Sequence, residues 1–127
     1  MSVKFIQGIN NYLHSRLSLY APIDVGLLSE SSEAIAIKLI PSRPGTRYYE
    51  GKVDRIQFQF STKSQDQMKA MQTIEDIKNE LDNLREVQLS TVYLTLCEVY
   101  TQPNHIDTTA QYEYIYAALF SAEFREE

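Results

Sequence analysis

Cysteine, tryptophan and histidine are scarce in this chain of 127 residues, and their scarcity excludes several classes of protein. Cys97 is the only cysteine, tryptophan is absent, and there are two histidines. A single cysteine can form neither an internal disulfide nor a cysteine-cluster zinc site. No apolar run approaches the roughly 20 residues of a membrane helix, and the first residues lack the apolar segment and the cleavage site of a signal peptide. We therefore expect a soluble protein that is made inside the cell.

The sequence also lacks the common motifs of catalytic and nucleotide-binding sites. It contains no G-x-x-x-x-G-K-[ST] phosphate loop, no G-x-G-x-x-G dinucleotide motif and no H-E-x-x-H zinc motif. His14 is interpreted as a surface residue of the first helix. His105 precedes Asp107 by two positions, which could hold a metal weakly, but no third ligand is evident and a plain loop residue is favoured. Cys97 is expected to be a small buried apolar residue of a strand rather than a nucleophile.

Two carboxylates are the remaining candidates for chemistry. Glu98 and Glu113 could face each other on neighbouring strands, and paired carboxylates can perform acid–base catalysis. Two exposed acids on the surface of a sheet are much commoner than a catalytic pair. The sequence therefore predicts that the protein is not an enzyme, with no catalytic residue, no cofactor and no bound metal.

Composition indicates one globular domain, and the charge along it is uneven. Apolar residues make up 43% and charged residues 23% of the chain, which is typical of a single folded domain over residues 1–127. The formal net charge is -5, which argues against a general nucleic-acid coat. Residues 38–63 nevertheless hold six bases and two acids, while the remainder holds six bases and fifteen acids. This asymmetry is either an ordinary solvated surface or a basis for head-to-tail self-association.

The hydrophobic pattern predicts two helices and five strands. Apolar residues at three- and four-residue spacing predict a helix over 2–20, which Pro22 ends. A second helix is predicted to begin with a capping box from Ser64 to Gln67 and to run to residue 85, with Met68 and Met71 on its buried face. Alternating or β-branched segments predict strands over 34–40, 47–50, 55–61, 89–101 and 110–124, with loops over 41–46 and 102–105.

The resulting order, α-β-β-β-α-β-β, predicts an α+β domain. The sheet is expected to be mostly antiparallel, with the first three strands as a meander and both helices packed on one face. Phe58 and Phe60 are expected to point into the core. Tyr112, Tyr114 and Tyr116 are expected on one face of the last strand, which is either a half-buried face of the sheet or a subunit interface.

Several short motifs together suggest a family. Tyr-Glu-Gly at 49–51, Gln-Phe-Gln at 57–59 and Thr-Lys-Ser at 62–64 precede the second helix, while Ile-Pro-Ser-Arg-Pro-Gly at 40–45 and a tyrosine-rich strand at 112–124 lie to either side. With the first helix, these features resemble the small minor capsid protein family of phages and prophages of Gram-positive bacteria. That family in turn looks like the tail terminators of long-tailed phages.

The resemblance implies a structural role in virion assembly, as a tail terminator or another head–tail joining component. Tail terminators close the finished tail tube as a hexameric ring and present a surface to the head connector, while DNA passes through without any base being read. The implied partners are further copies of the chain, the tail tube and the head connector, with no membrane and no sequence-specific nucleic acid. The protein would be made in the bacterial cytoplasm and reside in the virion.

The residues predicted at the subunit or partner interface lie in and beside the Pro/Gly loop. Arginine and tyrosine are enriched at protein interfaces, whereas the alternative for the paired tyrosines is a strand end with one ring inward and one outward. The alternative function is a soluble, non-enzymatic adaptor or regulator that binds one host or viral protein. The predicted interface residues are Arg43, Arg47, Tyr48, Tyr49, Lys52 and Arg55.

Overall fold

The computed structural model describes residues 2–40, 46–48, 51–89 and 92–126, with the backbone alone for 46–48 and 51–54. The chain is α+β, as predicted, and the predicted element order is present with two short strands added, β1 and β5. Neither helix of this described part is long and apolar enough to cross a membrane. The elements are α1 (Ser2–Arg16), β1 (Ile23–Val25), β2 (Ala34–Ile40), β3 (Thr46–Tyr48), β4 (Gly51–Ser64), α2 (Gln67–Leu81), β5 (Leu84–Leu89), β6 (Val92–Thr108) and β7 (Tyr114–Glu126).

The main sheet has the strand order β1-β2-β4-β7-β6-β5. Every neighbouring pair is antiparallel except β1 and β2, which are parallel. The predicted meander is wrong, because β2 pairs directly with β4, from Ala34 opposite Lys63 to Ile40 opposite Gln57. β3 pairs only with the start of β4, from Thr46 opposite Val53 to Tyr48 opposite Gly51, and forms a small separate hairpin there.

Both helices pack on the same face of the sheet, as predicted. The ring of Phe5 in α1 lies 5.3 Å from the ring of Phe58 in β4. The hydroxyl of Thr62, on the same face of that strand, donates a 3.0 Å hydrogen bond to the carbonyl of Ala70 in α2. Side chains at alternate positions of a strand share one face, so both helices cover the face that carries Phe58. Aromatic and aliphatic side chains fill the space between, chiefly Phe5, Ile9, Leu13, Phe58, Phe60, Ile74, Ile77, Leu81, Phe120 and Phe124.

The two helices differ from their predicted limits at their ends. α1 ends at Arg16 rather than at residue 20, and the hydroxyl of Tyr20 instead donates a 2.9 Å hydrogen bond to the Lys63 carbonyl. The N-cap of α2 is Asp66, whose Oδ1 accepts from the Lys69 amide at 3.3 Å, so the predicted capping box at Ser64 is wrong. Ser64 forms the preceding turn by accepting from the Asp66 amide at 3.0 Å. The hydrogen bond from Tyr20 to β4 and the turn at Ser64 therefore form where the sequence pattern predicted helical residues.

The segment between α2 and β7 was predicted as one strand and a loop, and it forms two strands instead. β5 and β6 form a hairpin, and β6 continues through the predicted loop at 102–105 as far as Thr108. β6 keeps its pairing with β7 through four register shifts, two of which bracket Thr101. Each such irregularity breaks the two-residue alternation and bends the strand. The sequence pattern of β6 is for this reason not that of a regular strand.

Candidate interaction surfaces

The structure separates the two carboxylates that could have formed an acid–base pair. Glu98 is exposed on β6 opposite Ser121 of β7. Glu113 is buried in the turn before β7, where its Oε1 accepts a 2.8 Å hydrogen bond from the Thr109 hydroxyl. The prediction that these two acids face each other is therefore wrong, because Glu113 lies outside the strand.

The surroundings of His105 and Cys97 indicate that both residues contribute to the packing of the fold rather than to a reactive site. His105 lies in β6 rather than in a loop, with Nε2 2.9 Å from the Thr108 hydroxyl and its ring 5.3 Å from the ring of Tyr116. Within the described ranges, no group of three or more His, Cys, Asp or Glu side chains could hold a metal ion. Cys97 is fully buried, as predicted, and burial raises the pKa of its thiol to about 12. At neutral pH this thiol is protonated and shielded, which disfavours nucleophilic chemistry.

The tyrosines of the last strand do not share one face. Tyr112 precedes β7 in the turn and is 76% exposed, with a φ of 61°. Tyr116 is buried on the helix-covered side, and its hydroxyl accepts a 2.9 Å hydrogen bond from Nε2 of Gln67 in α2. Tyr114 packs partly buried against the same core. The half-buried face of the sheet is thus the correct interpretation for Tyr114 and Tyr116, while Tyr112 projects separately.

The basic residues of the predicted interface concentrate around the hairpin of β3 and β4. Arg47 and Lys52 are direct register partners in this hairpin. Arg43 precedes β3 and lies outside the described residues, as does Tyr49 between the two strands. We call the segment 46–53, with Arg43 before it, the basic hairpin.

Two other bases of the positively charged segment are engaged within the chain. Arg55 Nε lies 2.8 Å from Oε1 of Glu123 on β7, with both side chains partly exposed. Lys63 is 6% exposed, and its Nζ donates a 2.6 Å hydrogen bond to the Ser29 carbonyl. The positive charge that sequence counting assigns to residues 38–63 is therefore not one continuous surface. Lys63 belongs to the interior at the far end of β4.

A cleft of about 580 Å³ opens at the end of β4 where Lys63 lies. It combines three distant segments of the sequence: the loop after β1, the end of β4 and the turn before β7. Its charged groups are two carboxylates and one ammonium. We call this site the acidic cleft, and its lining residues are Leu28, Ser29, Glu30, Lys63, Thr109, Gln111, Glu113 and Ile115.

The turn from Thr109 to Glu113 holds the buried carboxylate of the acidic cleft in place. The Thr109 amide donates to the Glu113 carbonyl at 2.9 Å, and the Thr109 hydroxyl accepts from the Glu113 amide at 3.1 Å while donating to its Oε1. These bonds fix both the backbone and the side chain of Glu113. Sequence analysis missed this site, because only the fold brings its segments together; the sole local signal was an acid next to a threonine- and tyrosine-rich turn.

The sequence matches the model of a protein family whose description is bacteriophage tail terminator protein, over residues 25–125. This match begins at the last residue of β1 and extends into β7, and it includes the basic hairpin and the acidic cleft. The chain therefore belongs to the bacteriophage tail terminator family, and it is a structural protein of the phage tail. No curated protein sequence matches the chain.

Solved structures share the fold at low sequence identity. One, described as the virion of a native gene transfer agent particle, has a TM-score of 0.63 and 12% identity, and the match covers 92% of each chain. A second has a TM-score of 0.60 and 12% identity, covering 99% of this chain and 94% of the other. At this identity the likeness shows the fold alone, and it extends over nearly the whole chain in both cases.

Proposed function

We propose that this protein is the tail terminator itself, a subunit that forms a hexameric ring on the finished tail tube and presents a surface to the head connector. The observation that carries the proposal is the family match over residues 25–125. In this role the protein acts by contact alone, without catalysis or a cofactor. Its partners are its own copies, the tail tube and the head connector proteins.

The charge of the chain is consistent with a ring through which DNA passes. The formal net charge is -5, and the residues outside 38–63 carry fifteen acids against six bases. Negative side chains repel phosphates and so do not hold DNA in place. A lumen lined from this part of the chain would let DNA move through without being read.

The proposed contacts with neighbours come from the basic hairpin and its surroundings. Arginine pairs with carboxylates through two parallel hydrogen bonds, and the prolines before β3 reduce the conformational entropy lost when the segment binds. Arg55, whose Nε already pairs with Glu123, would contribute at the margin of this surface. The interface residues in this proposal are Arg43, Arg47, Tyr48, Tyr49, Lys52 and Arg55.

Complementation of a phage that lacks this protein tests the proposal. The double variant Arg43→Glu with Arg47→Glu is expected to keep its circular dichroism spectrum and thermal transition, because the buried core that packs the helices on the sheet is, within the described residues, made of other side chains. It is expected to lower the yield of infectious particles at least about tenfold, since each lost interfacial charge pair is worth on the order of 1 kcal/mol or more. Normal particle yield with this variant would show that the hairpin has no role in assembly.

A further inference from the structure

We propose that the acidic cleft of one subunit binds the basic hairpin of a neighbouring copy of this chain. This inference rests on the proposed function and identifies the two surfaces that meet between adjacent subunits. It joins the most basic part of the sequence to a cleft that contains two carboxylates.

The charge of the cleft favours a cationic occupant. Glu30 and Glu113 line it together with one base, Lys63, whose ammonium donates to the Ser29 carbonyl. Glu113 is 7% exposed, and among the described residues its only side-chain hydrogen bond joins Oε1 to Thr109. Its second oxygen is thus available to an incoming donor. A guanidinium supplies several N–H donors in a plane that matches a carboxylate.

Apolar side chains beside the cleft supply a second element of recognition. Leu28 and Ile115 line the cleft, and the residues next to its lining, Leu27 and Tyr112, are 82% and 76% exposed. Tyr112 holds a left-handed φ of 61°, a conformation that is unfavourable for a bulky residue. Exposed apolar patches of this kind mark sites of protein–protein interaction. The basic hairpin carries apolar groups of its own in Tyr48 and Tyr49.

The positions of the two surfaces make the contact head-to-tail. The basic hairpin includes Lys52 near the start of β4, whereas Lys63 of the cleft lies near the end of the same strand. At about 3.3 Å per residue, the two positions are about 36 Å apart along the strand. A subunit cannot join its own hairpin to its own cleft over that distance. Repeated joining of one surface to the other, with rotation at each step, produces a ring when the rotation closes.

Mixing two defective variants of the full chain tests this geometry in solution. The first has a defective hairpin, Arg43→Glu with Arg47→Glu, and the second has a defective cleft, Glu30→Gln with Glu113→Gln, whose neutral amides do not attract the acidic hairpin of the first. Each alone is expected to lose the self-association of the wild-type protein. An equimolar mixture is expected to form dimers and nothing larger, because one intact hairpin and one intact cleft remain per pair. The control Glu75→Gln with Glu98→Gln, which removes the same number of carboxylate charges at two exposed positions, is expected to associate like the wild type.

Chemical cross-linking tests the same contact in assembled particles. Thr46→Cys with Gln111→Cys places one thiol on the hairpin and one at the cleft and keeps every charge of the proposal. A short bismaleimide is expected to link this variant into a ladder of multiple chains. The matched control, Thr46→Cys with Gln72→Cys on the exposed side of α2, is expected to remain single chains, and buried Cys97 does not react.

The two proposals fail in distinguishable ways. Single chains from the Thr46→Cys, Gln111→Cys variant in infectious particles would overturn the cleft as the receptor, even where particle yield depends on the hairpin. Equal linking by the Gln72→Cys control, or oligomers larger than dimers in the variant mixture, would overturn it as well. Normal particle yield with the hairpin variant would overturn the hairpin contact in both proposals, whereas normal particle yield from the phage that lacks this protein altogether would contradict the proposed function.

Discussion

At the residue scale, three consecutive positions near the end of β4 connect the parts of the fold. The Thr62 hydroxyl donates to the Ala70 carbonyl in α2, and the Lys63 carbonyl accepts from Tyr20 while its ammonium donates to Ser29. The Ser64 hydroxyl donates to Oε2 of Glu33 at 3.2 Å. These are buried polar side chains, and each has the partner that burial requires. The end of β4 is therefore rigid, which suits a strand that forms one wall of the acidic cleft.

Ionisation of the buried Cys97 thiol and of the partly buried Tyr20 phenol makes stability depend on pH in the alkaline range. Burial raises the pKa of the Tyr20 phenol to about 12 from 10.0, and that of the Cys97 thiol to about 12 from 9.0. Above these ordinary values the unfolded chain loses protons that the folded chain retains. The free energy of unfolding therefore falls as the pH rises through this window, whereas below pH 9 the contribution of Cys97 is fully present.

Replacement of Cys97 by alanine is expected to weaken this pH dependence. Between pH 9 and pH 10 only the thiol, and not yet Tyr20, contributes its full slope, which approaches about 1.4 kcal/mol per pH unit. Urea unfolding of both proteins under reducing conditions measures the slope. Other titrating groups are common to both proteins and cancel in the comparison. Identical slopes for the wild type and Cys97→Ala would contradict the assignment.

Residue-level predictions succeeded where one periodicity dominates. Phe58 and Phe60 are buried as predicted, since alternation along a paired strand fixes the face of each residue, and Cys97 is buried as its residue type predicted. Met68 and Met71 were predicted on the buried face of α2, but they are 68% and 37% exposed. The buried positions of this helix are Ala70, Ile74, Ile77 and Leu81. These buried residues form a narrow stripe, and both methionines lie at its margin. Residue type alone does not distinguish an apolar residue within the stripe from one at its margin.

At the element scale, α1 approaches β5 unusually closely. A Cβ atom at Gly8 would lie 2.9 Å from the Leu89 Cβ and 3.1 Å from the Leu89 carbonyl oxygen. Neither atom can move without a shift of the strand. Glycine in the middle of a helix normally costs about 1 kcal/mol relative to alanine. Here it is retained because it permits the helix and the strand to touch.

Substitution of Gly8 by alanine is expected to destabilise the fold, against the usual preference of a helix for alanine. Overpacking costs about 1–3 kcal/mol, which exceeds or cancels the gain of about 1 kcal/mol in helix propensity. Urea unfolding measures the net change. Gln7→Ala, at the exposed neighbouring position, serves as the control and is expected to be neutral or slightly stabilising. A Gly8→Ala variant more stable than the wild type would show that the helix and β5 separate readily.

Elements were predictable from the sequence where their periodicity is unbroken. β2 has the limits that the pattern predicted, and the long β4 contains its predicted strand at 55–61. β1, with three residues, is too short to show a pattern. β5 has a bulge-like left-handed residue, Glu86, with a φ of 52°, and β6 has repeated register shifts. Such irregularities place residues out of phase, so the boundary between β5 and β6 could not be read from alternation.

At the scale of the whole molecule, the two surfaces differ in how far the sequence reveals them. The basic hairpin is a local property, because Arg43, Arg47 and Lys52 are close along the chain. The acidic cleft is assembled from segments that include Glu30, Lys63 and Glu113, which are far apart in sequence. A charge count along the chain therefore detects one surface. The same count assigns Lys63 to the basic segment, although Lys63 lines the acidic cleft.

Self-association of the wild-type protein is expected to weaken at high salt. Exposed charges are screened beyond about 8 Å at physiological ionic strength. If screening removes about 1.4 kcal/mol over several partly exposed pairs, the association constant falls about tenfold. Sedimentation velocity at low and high salt, over a range of protein concentrations, measures this change. An association constant that is unchanged or higher in high salt would show that apolar contacts dominate.

The edge of β6 that faces away from β7 is relevant to how the free protein avoids forming fibres. β5 pairs with β6 only as far as Cys97, so among the described strands none pairs with that side beyond this point. An open strand edge normally recruits strands from other molecules into aggregates. Here the carboxylate of Asp82 accepts from the Val99 amide at 2.9 Å, and Pro103 has no amide hydrogen to offer. With its register shifts as well, this edge is a poor template for the addition of a strand from another molecule.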